Sequence, residues 1–245
     1  MSDKFLKIGH RGACGYEPEN TLGSFQKAID LGAEMIEFDV HLCKSGEAVV
    51  IHDETVNRTS NGHGYVNNME LAELKKLNLG KDEKIPTLQE VIDKFKGKIK
   101  FNIEVKGVKP AQEVCRLISE NKIESEVIVS SNHVESLLAI KKNLPSVETA
   151  LIYYATKTVF RQYIFVLFAI VILPLIKMII LWKAKNTKAD AVHLVYPFAT
   201  KKFVAKLHQL GYKVGVWVVN SEKIINKMKA IGADRLISNF PDRLK

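Results

Sequence analysis

The sequence predicts an α/β protein, a TIM-type (β/α)8 barrel formed by residues 1–245 as a single domain. Short apolar runs rich in β-branched residues alternate with amphipathic helical patterns, which is typical of a parallel sheet covered by helices. About eight such units in a chain of 245 residues match the size of a (β/α)8 barrel.

Nine segments have the apolar, β-branched composition of buried strands. They are Phe5–His10, Glu34–Leu42, Ala48–His52, Ile99–Lys106, Glu126–Ser131, Val147–Tyr153, Ala189–Leu194, Lys213–Val219 and Asp234–Ser238. Helices are predicted between them over NTLGSFQKAIDLG, TLQEVIDKF, VESLLAIKKNLP and ATKKFVAKLHQLG. The second helix begins at Thr87 with Glu90 three residues later, which is the signature of a capping box.

One link between strands is too short for a barrel crossover. Only HLCKSGEA lies between IEFDV of the second strand and VVIHD of the third, whereas a crossover needs a dozen or more residues. We therefore predict a hairpin that turns at Lys44–Gly46, pairs Cys43 with Ala48 and places Asp39 opposite His52. This antiparallel strand explains why there are nine strand candidates for eight barrel positions.

Composition narrows the classes of partner. The net charge of +9 favours anionic partners such as phosphate esters or membrane surfaces. No run of basic residues and no zinc-finger or RNA-binding signature is present, which argues against nucleic acid. Three cysteines without CxxC pairing indicate reduced thiols in a cytoplasmic protein, and the start MSDKFLKIGHRG lacks the apolar stretch of a signal peptide.

Two acidic residues leave the same face of one predicted strand. Glu37 and Asp39 are two residues apart in MIEFDVHL, so their side chains point to one side. Such carboxylates repel each other unless a cation lies between them, and oxygen ligands suit Mg²⁺ or Ca²⁺. The alternative is a pair of solvated charges at a sheet edge.

A third acid, Glu104, lies inside the apolar strand of KFNIEVKG, with Lys106 on the same face. Burying a carboxylate is unfavourable unless it is paired or binds a ligand, and a plain Glu104–Lys106 pair is the alternative. His10 in GHRG and His52 in VVIHD also lie near predicted strand ends, where barrels build their sites. Surface or packing roles are predicted for His63, His133 and His208, while His41 and His193 are left open.

Six stretches, taken in order, resemble those of the glycerophosphodiester phosphodiesterase family. They are GHRGACGYEPENT, IEFDVHLCKSGEAVVIHDETVNRTSNGHG, IPTLQEV, NIEVK, VIVSSN and a tail made of GYKVGVWVVN and GADRLISNFPD. The resemblance implies a barrel of the phospholipase C-like phosphodiesterase kind. It also implies hydrolysis of glycerophosphodiesters to glycerol 3-phosphate and an alcohol, with one divalent cation, Mg²⁺ or Ca²⁺.

The resemblance further implies roles for individual residues. The acid/base pair would be His10 and His52, the metal ligands Glu37, Asp39 and Glu104, and the phosphate-binding residues Arg11 and Lys106. The chain departs from the family pattern at Asn132, where Phe is usual, and at Ser238 and Asn239, where Thr and Asp are common. A phosphoinositide phospholipase C-like enzyme and a non-catalytic membrane adaptor are the alternatives.

The stretch YIFVLFAIVILPLIKMIILW, from Tyr163 to Trp182, is apolar over about twenty residues, the length of a membrane span. A single span would separate the last barrel strands from the first six, and Pro174 interrupts the run. We therefore predict an apolar helical insert over about 157–185, with two short helices that break near Pro174 and enter one leaflet beside the barrel mouth. This predicts membrane association and, by the family resemblance, a lysophospholipid substrate; the alternatives are a buried barrel helix and an interface in a homo-oligomer.

Overall fold

Nine strands form one sheet in this computed structural model, which describes residues 5–153 and 159–245 and, within 159–172, the backbone alone. They are β1 (Leu6–His10), β2 (Met35–Leu42), β3 (Ala48–Val50), β4 (Lys100–Val105), β5 (Val127–Ser131), β6 (Glu148–Tyr153), β7 (Ala191–Val195), β8 (Lys213–Trp217) and β9 (Arg235–Ser238). All nine predicted strands are confirmed, with each end within two residues of its predicted place.

Eight of these strands are parallel and close into a barrel. The strand order is β1-β9-β8-β7-β6-β5-β4-β2-β3, and β1 also pairs with β2, which completes the ring. Strand β3 lies outside the ring and pairs antiparallel with β2. The predicted TIM-type barrel is therefore confirmed, and the carboxyl ends of its eight strands share one face.

The predicted turn of the hairpin is confirmed, but the predicted strand register is wrong. The Gly46 N–H donates to the Cys43 carbonyl oxygen at 3.1 Å, and Gly46 has a φ of +97° that glycine tolerates best. The predicted pairings of Cys43 with Ala48 and of Asp39 with His52 are each displaced by one residue.

The observed register brings apolar side chains together on one face of the hairpin, while His41 pairs with Val49 on the other face. Val40 pairs with Val50, and Leu42 pairs with Ala48. Val40, Ala48 and Val50 are buried in one core between the sheet and the helices. The predicted register would have put His41 opposite Val50 and mixed polar with apolar side chains on one face, because a slip of one residue exchanges the faces.

Helices cover the outside of the barrel. Those in the described ranges are α1 (Leu22–Asp30), α2 (Leu71–Leu74), α3 (Leu88–Phe95), α4 (Val108–Asn121), α5 (Val134–Asn143), α6 (Val159–Thr187), α7 (Lys201–Gln209) and α8 (Glu222–Ala230). The four predicted helices are present as α1, α3, α5 and α7. The capping box of α3 is confirmed: Thr87 Oγ1 accepts from the Glu90 N–H at 3.1 Å, and Glu90 Oε2 accepts from the Thr87 N–H at 2.7 Å.

The apolar segment differs from its prediction. The predicted break at Pro174 is wrong, because α6 continues through this residue as one helix. After Pro174, the side chains of Ile176, Ile180 and Ala184 repeat every four residues and are buried against the barrel. This half of α6 is therefore the barrel helix between β6 and β7, not an insert, and packing holds the helix together beyond the proline.

Residues 157 and 158 of the predicted insert, and the side chains of 159–172, lie outside the described part of the chain. Among the residues that are described, no helix has the length and apolar character needed to cross a membrane.

Aromatic packing on the outer face of β2 orients the acidic residues of this strand toward the barrel interior. Phe38 is fully buried and its ring lies 5.4 Å from that of Phe25 and 6.0 Å from that of Phe101, centroid to centroid. Because side chains alternate along a strand, Glu37 and Asp39 then point into the barrel. The apolar face of β2 thus orients its acidic face.

Candidate functional site

Strand register brings the predicted acids and one histidine together. His10 pairs with Glu37 between β1 and β2, and Asp39 pairs with Glu104 between β2 and β4. Carboxylate oxygens of Glu37, Asp39 and Glu104 all lie within 4.8 Å of one another, and all three residues are buried. The alternative of solvated charges at a sheet edge is therefore excluded.

Two basic side chains partly compensate these acids. Lys106 Nζ lies 2.7 Å from Asp39 Oδ1 and also contacts the Glu104 carboxylate. Arg11 Nε lies 3.5 Å from Asp39 Oδ2, while the Arg11 backbone N–H donates to Glu37 Oε2 at 2.9 Å. The Glu104–Lys106 pair considered as an alternative is present, but Lys106 also forms an ion pair with Asp39.

The three carboxyl groups respond differently to burial. Burial, together with the charges of Asp39 and Glu104, raises the pKa of Glu37 well above its usual value. Burial also raises the pKa of Glu104, although Lys106 opposes it. For Asp39, burial is outweighed by Lys106 and Arg11, and the pKa lies far below its usual value.

The acidic cluster therefore has more negative charge than the chain itself neutralises. Buried carboxylates that repel one another are stabilised when a cation is placed among them. An all-oxygen donor set of Glu37, Asp39 and Glu104 fits a hard divalent ion such as Mg²⁺ or Ca²⁺. These residues could hold a metal ion.

His10 is held between the last strand and the acidic cluster. Its Nδ1 lies 2.7 Å from Asn239 Oδ1, and its Nε2 lies 3.9 Å from Glu37 Oε2. Because an amide oxygen only accepts, the hydrogen is assigned to Nδ1, and Nε2 is left as an acceptor. Burial and the neighbouring Arg11 lower the pKa of His10 to about 3.

His52 follows β3 and is held by two neighbours. Its Nδ1 lies 2.6 Å from Asp53 Oδ1, and its carbonyl oxygen lies 3.1 Å from His41 Nε2. His41, which the sequence left open, thus fixes the backbone of His52.

A pocket at the carboxyl ends of the strands contains six of the seven predicted site residues. It is lined by His10, Arg11, Glu37, His52, Asn102, Glu104, Lys106, Ile152, His193, Trp217 and Ile237. Asp39, the seventh, lies beneath, at 1% exposure. A larger cavity of about 560 Å³ lies at the amino ends of the strands and contains none of the seven; barrel sites are built at the carboxyl end, so we assign the site to the first pocket.

Several neighbours of the site received no role from the sequence. Asn239 contacts His10, and Asp53 contacts His52. The fully buried Asn102 lines the pocket, and neither of its amide atoms has a hydrogen-bond partner among the described residues. Asp53 could have been noticed because it directly follows His52. Asn239 could not, since 229 positions separate it from His10.

Of the remaining histidines, three are exposed and His193 is a buried residue of the pocket lining. His63, His133 and His208 are exposed, as predicted. His193 is buried, with Nε2 3.3 Å from Arg235 Nη1.

Comparison with known proteins shows the family to which this chain belongs. Residues 10–243 match the model of the Glycerophosphoryl diester phosphodiesterase family. Glycerophosphodiester phosphodiesterase from Caldanaerobacter subterraneus subsp. tengcongensis is 34% identical, with 98% of this chain and 96% of that protein covered. Lysophospholipase D of Homo sapiens is 25% identical, with 97% and 84% covered.

A solved structure with the same fold holds a reaction product. It is an Oleispira antarctica phosphodiesterase in complex with the product sn-glycerol-3-phosphate. This chain superposes on it with a TM-score of 0.81 and 25% identity, covering 98% of this chain and 94% of that one.

Proposed function

Because this chain belongs to the glycerophosphoryl diester phosphodiesterase family and is a glycerophosphodiester phosphodiesterase, we propose that its turnover requires one divalent cation held by Glu37, Asp39 and Glu104. The products are glycerol 3-phosphate and an alcohol. The observation that carries this proposal is the buried cluster of three carboxylates at the mouth of the barrel. The product found in the Oleispira antarctica relative supports glycerol 3-phosphate as a product here.

His10 and His52 supply the proton transfers. Hydrolysis of a phosphodiester needs one group to take a proton from the attacking oxygen and another to protonate the leaving alkoxide, each worth about 10²–10⁴ in rate. Both histidines line the pocket, and each has its Nδ1 held by an oxygen acceptor. Each therefore presents the other ring nitrogen for proton transfer.

Arg11 and Lys106 bind the phosphate. A phosphodiester repels nucleophiles because it is negatively charged, so positive charge at its oxygens is needed before attack. The Arg11 guanidinium can bind two oxygens, whereas Lys106 offers a point charge. A bound divalent cation neutralises a phosphate oxygen and lowers the pKa of a hydroxyl that it binds.

A product assay with chelator tests this proposal. We expect release of glycerol 3-phosphate from a short glycerophosphodiester, loss of this activity in excess EDTA, and recovery with Mg²⁺ or Ca²⁺. Full activity in EDTA would contradict the metal requirement. Preferential release of inositol phosphates from phosphoinositides would favour the phospholipase C alternative, and absence of turnover on every substrate would favour the adaptor.

The substrate class extends to lysophospholipids at a lipid surface. The second half of α6 exposes Leu175, Met178 and Trp182, by 53%, 64% and 63%, on one helical face. Lys183 and Lys185 lie beside this stripe in the sequence, and an apolar stripe flanked by lysines suits an anionic membrane interface. Within this part of α6, Lys177 Nζ lies 3.3 Å from Oγ1 of Thr200, which caps the start of α7 after the carboxyl end of β7, so the stripe starts near the barrel mouth.

Substitution of the stripe tests this extension. The triple change Leu175→Ser, Met178→Ser and Trp182→Ser should abolish sedimentation with anionic vesicles and reduce hydrolysis of long-chain lysophosphatidylcholine. Hydrolysis of water-soluble glycerophosphocholine should persist, because the pocket is untouched. Leu210→Ser, which removes a leucine of 49% exposure near the end of α7, is the matched control.

Two other results would contradict the membrane role of α6. Equal loss on both substrates would mean that the stripe is needed for folding. Unchanged vesicle binding with a change from dimer to monomer would mean that the stripe is an interface between two copies of the chain.

A further inference from the structure

Asp53 orients His52. A carboxylate only accepts, so the hydrogen of His52 Nδ1 is directed at Asp53 Oδ1 across 2.6 Å. Asp53 is kept ionised: burial would raise its pKa, but hydrogen bonds from Arg58 and His52 outweigh burial and lower the pKa to about 2. The position of His52 therefore depends on what holds Asp53.

Arg58 holds Asp53 and Glu19 at the same time. Its Nε lies 2.7 Å from Asp53 Oδ2, and its Nη2 lies 3.2 Å from Asp53 Oδ1. On the other edge, Nη1 lies 2.9 Å from Glu19 Oε2 and Nη2 lies 2.7 Å from Glu19 Oε1. A guanidinium bound by a fork on each edge is fixed in both plane and position.

Glu19 continues this contact to Arg11. Glu19 Oε1 also accepts from Arg11 Nη1 at 2.8 Å. Arg11 is held on its other side by the acidic cluster, with Nε 3.5 Å from Asp39 Oδ2. Its φ of +50° is in the left-handed region, so its backbone conformation is kept by these surroundings.

The contacts form a path of alternating charge between two groups of the proposed reaction. The path runs through His52, Asp53, Arg58, Glu19 and Arg11. It joins the loop after β3 to the loop after β1, and 39 positions separate Arg58 from Glu19.

We propose that Arg58 is a positioning residue that fixes the separation between His52 and Arg11, and thereby the place of a proton-transferring group relative to the bound phosphate. This inference rests on the proposed roles of His52 and Arg11. A displacement of about 1 Å can lower a rate by roughly 10²-fold. Half-exposed ion pairs contribute little to stability, so the effect of Arg58 falls on turnover rather than on folding.

Arg116 is a matched control for Arg58. It lies on α4 and also holds two carboxylates, with Nε 2.9 Å from Glu113 Oε2 and Nη1 in contact with Glu120. The side chains of Arg116 and Arg58 are exposed by 52% and 48%. Both arginines contact two carboxylates, but Arg58 lies beside the site and Arg116 lies on α4.

The experiment compares kcat, KM and melting temperature for Arg58→Gln, Arg58→Lys and Arg116→Gln, on a water-soluble glycerophosphodiester. For Arg58→Gln we expect kcat to fall about 10- to 100-fold, with a smaller change in KM and a melting temperature lowered by no more than about 4 °C. Arg58→Lys should recover part of kcat, because one ammonium replaces only part of the double fork. Arg116→Gln should leave kcat unchanged.

A double-mutant cycle tests whether Arg58 acts through Asp53. The combination of Asp53→Asn with Arg58→Gln should lose no more kcat than the worse single variant, since both changes interrupt the same path. A double variant whose loss of kcat equals the product of the two single losses would overturn the inference. So would a wild-type kcat in Arg58→Gln, or an equal loss of kcat in Arg116→Gln.

His52→Ala, assayed in parallel, separates this inference from the proposed function. If His52→Ala remains active, the proposed role of His52 fails and the inference fails with it. If His52→Ala is inactive while Arg58→Gln is fully active, the inference alone is wrong.

Discussion

The barrel contains charged clusters at both ends, and their difference separates a ligand site from a structural network. The mouth cluster consists of Arg11, Glu37, Asp39, Glu104 and Lys106 at the carboxyl ends of the strands. The floor cluster consists of Glu148, Lys213 and Arg235 at first strand positions, together with His193, which contacts Arg235 from the side of the pocket. Both clusters contain buried charged groups, Arg235 at the floor and the three acids at the mouth, and an unpaired buried charge is unfavourable.

The floor cluster is paired within the chain. Arg235, only 4% exposed, contacts Glu148, whose other oxygen lies 3.0 Å from Lys213 Nζ. Burial and the Arg235 charge lower the pKa of His193 to about 3, so this histidine is neutral. One carboxylate is therefore matched by two cations.

In the mouth cluster, three carboxyl groups lie within 4.8 Å of one another. Burial raises the pKa values of Glu37 and Glu104, although Lys106 and Arg11 lie close by. Strongly shifted pKa values of this kind are typical of functional sites. The comparison shows that close contact between like charges, rather than burial of charge, distinguishes the site.

The largest expected effect is at the mouth. Glu104→Gln should lower turnover by roughly 10³-fold or more, because a bound divalent ion contributes several kcal/mol at the transition state. Metal-free stability should be unchanged or higher, since one of three repelling carboxylates is removed. Steady-state kinetics, metal titration calorimetry and urea unfolding measure these quantities, and undiminished turnover would refute the metal site.

Next comes a loss of stability at the floor. Glu148→Gln should lower the free energy of unfolding by about 3 kcal/mol, because it leaves the buried Arg235 without its carboxylate. Turnover should stay near wild type. As a control, Glu113→Gln, which removes a partner of the exposed Arg116 on α4, should lower stability by less than about 1 kcal/mol. A collapse of turnover with intact stability would instead assign the floor cluster to the site.

Substitution of His10 or His52 should lower kcat without changing metal affinity. His10→Ala and His52→Ala should lower kcat by at least about 10²-fold, while metal affinity stays close to wild type. His208→Ala is the control, since this exposed histidine contacts Asp234 instead. Equal damage from all three changes would show that the wrong histidines were chosen.

The smallest effect is a pH dependence at the floor. The pKa of His193 is lowered in the folded chain from 6.5 to about 3, so its stabilising effect is complete above pH 6.5 and declines below it, as the unfolded chain binds a proton that the folded chain does not. Between pH 7 and pH 5, wild type should lose about 2 kcal/mol more than His193→Asn. Urea unfolding at both pH values measures this difference, and parallel losses would mean that His193 is not buried in its neutral form.

The sequence by itself determined the strands, the barrel and the residue types of the site. Alternation of apolar and polar residues every two positions reports which side chains of a strand share a face, and this is a local property. It placed Glu37 with Asp39 and Glu104 with Lys106, and the short HLCKSGEA link required a hairpin. Their position at strand ends then predicted the shared edge, which the barrel confirms.

Only the tertiary structure decided how these elements meet. The hairpin register follows from pairing Val40 with Val50 in the core, and α6 continues past Pro174 because its buried face packs on the barrel. The contacts of His10 with Asn239 and of Arg58 with Glu19 span 229 and 39 positions. No local pattern carries such information, because these distances are set by closure of the barrel and by the loops that closure brings together.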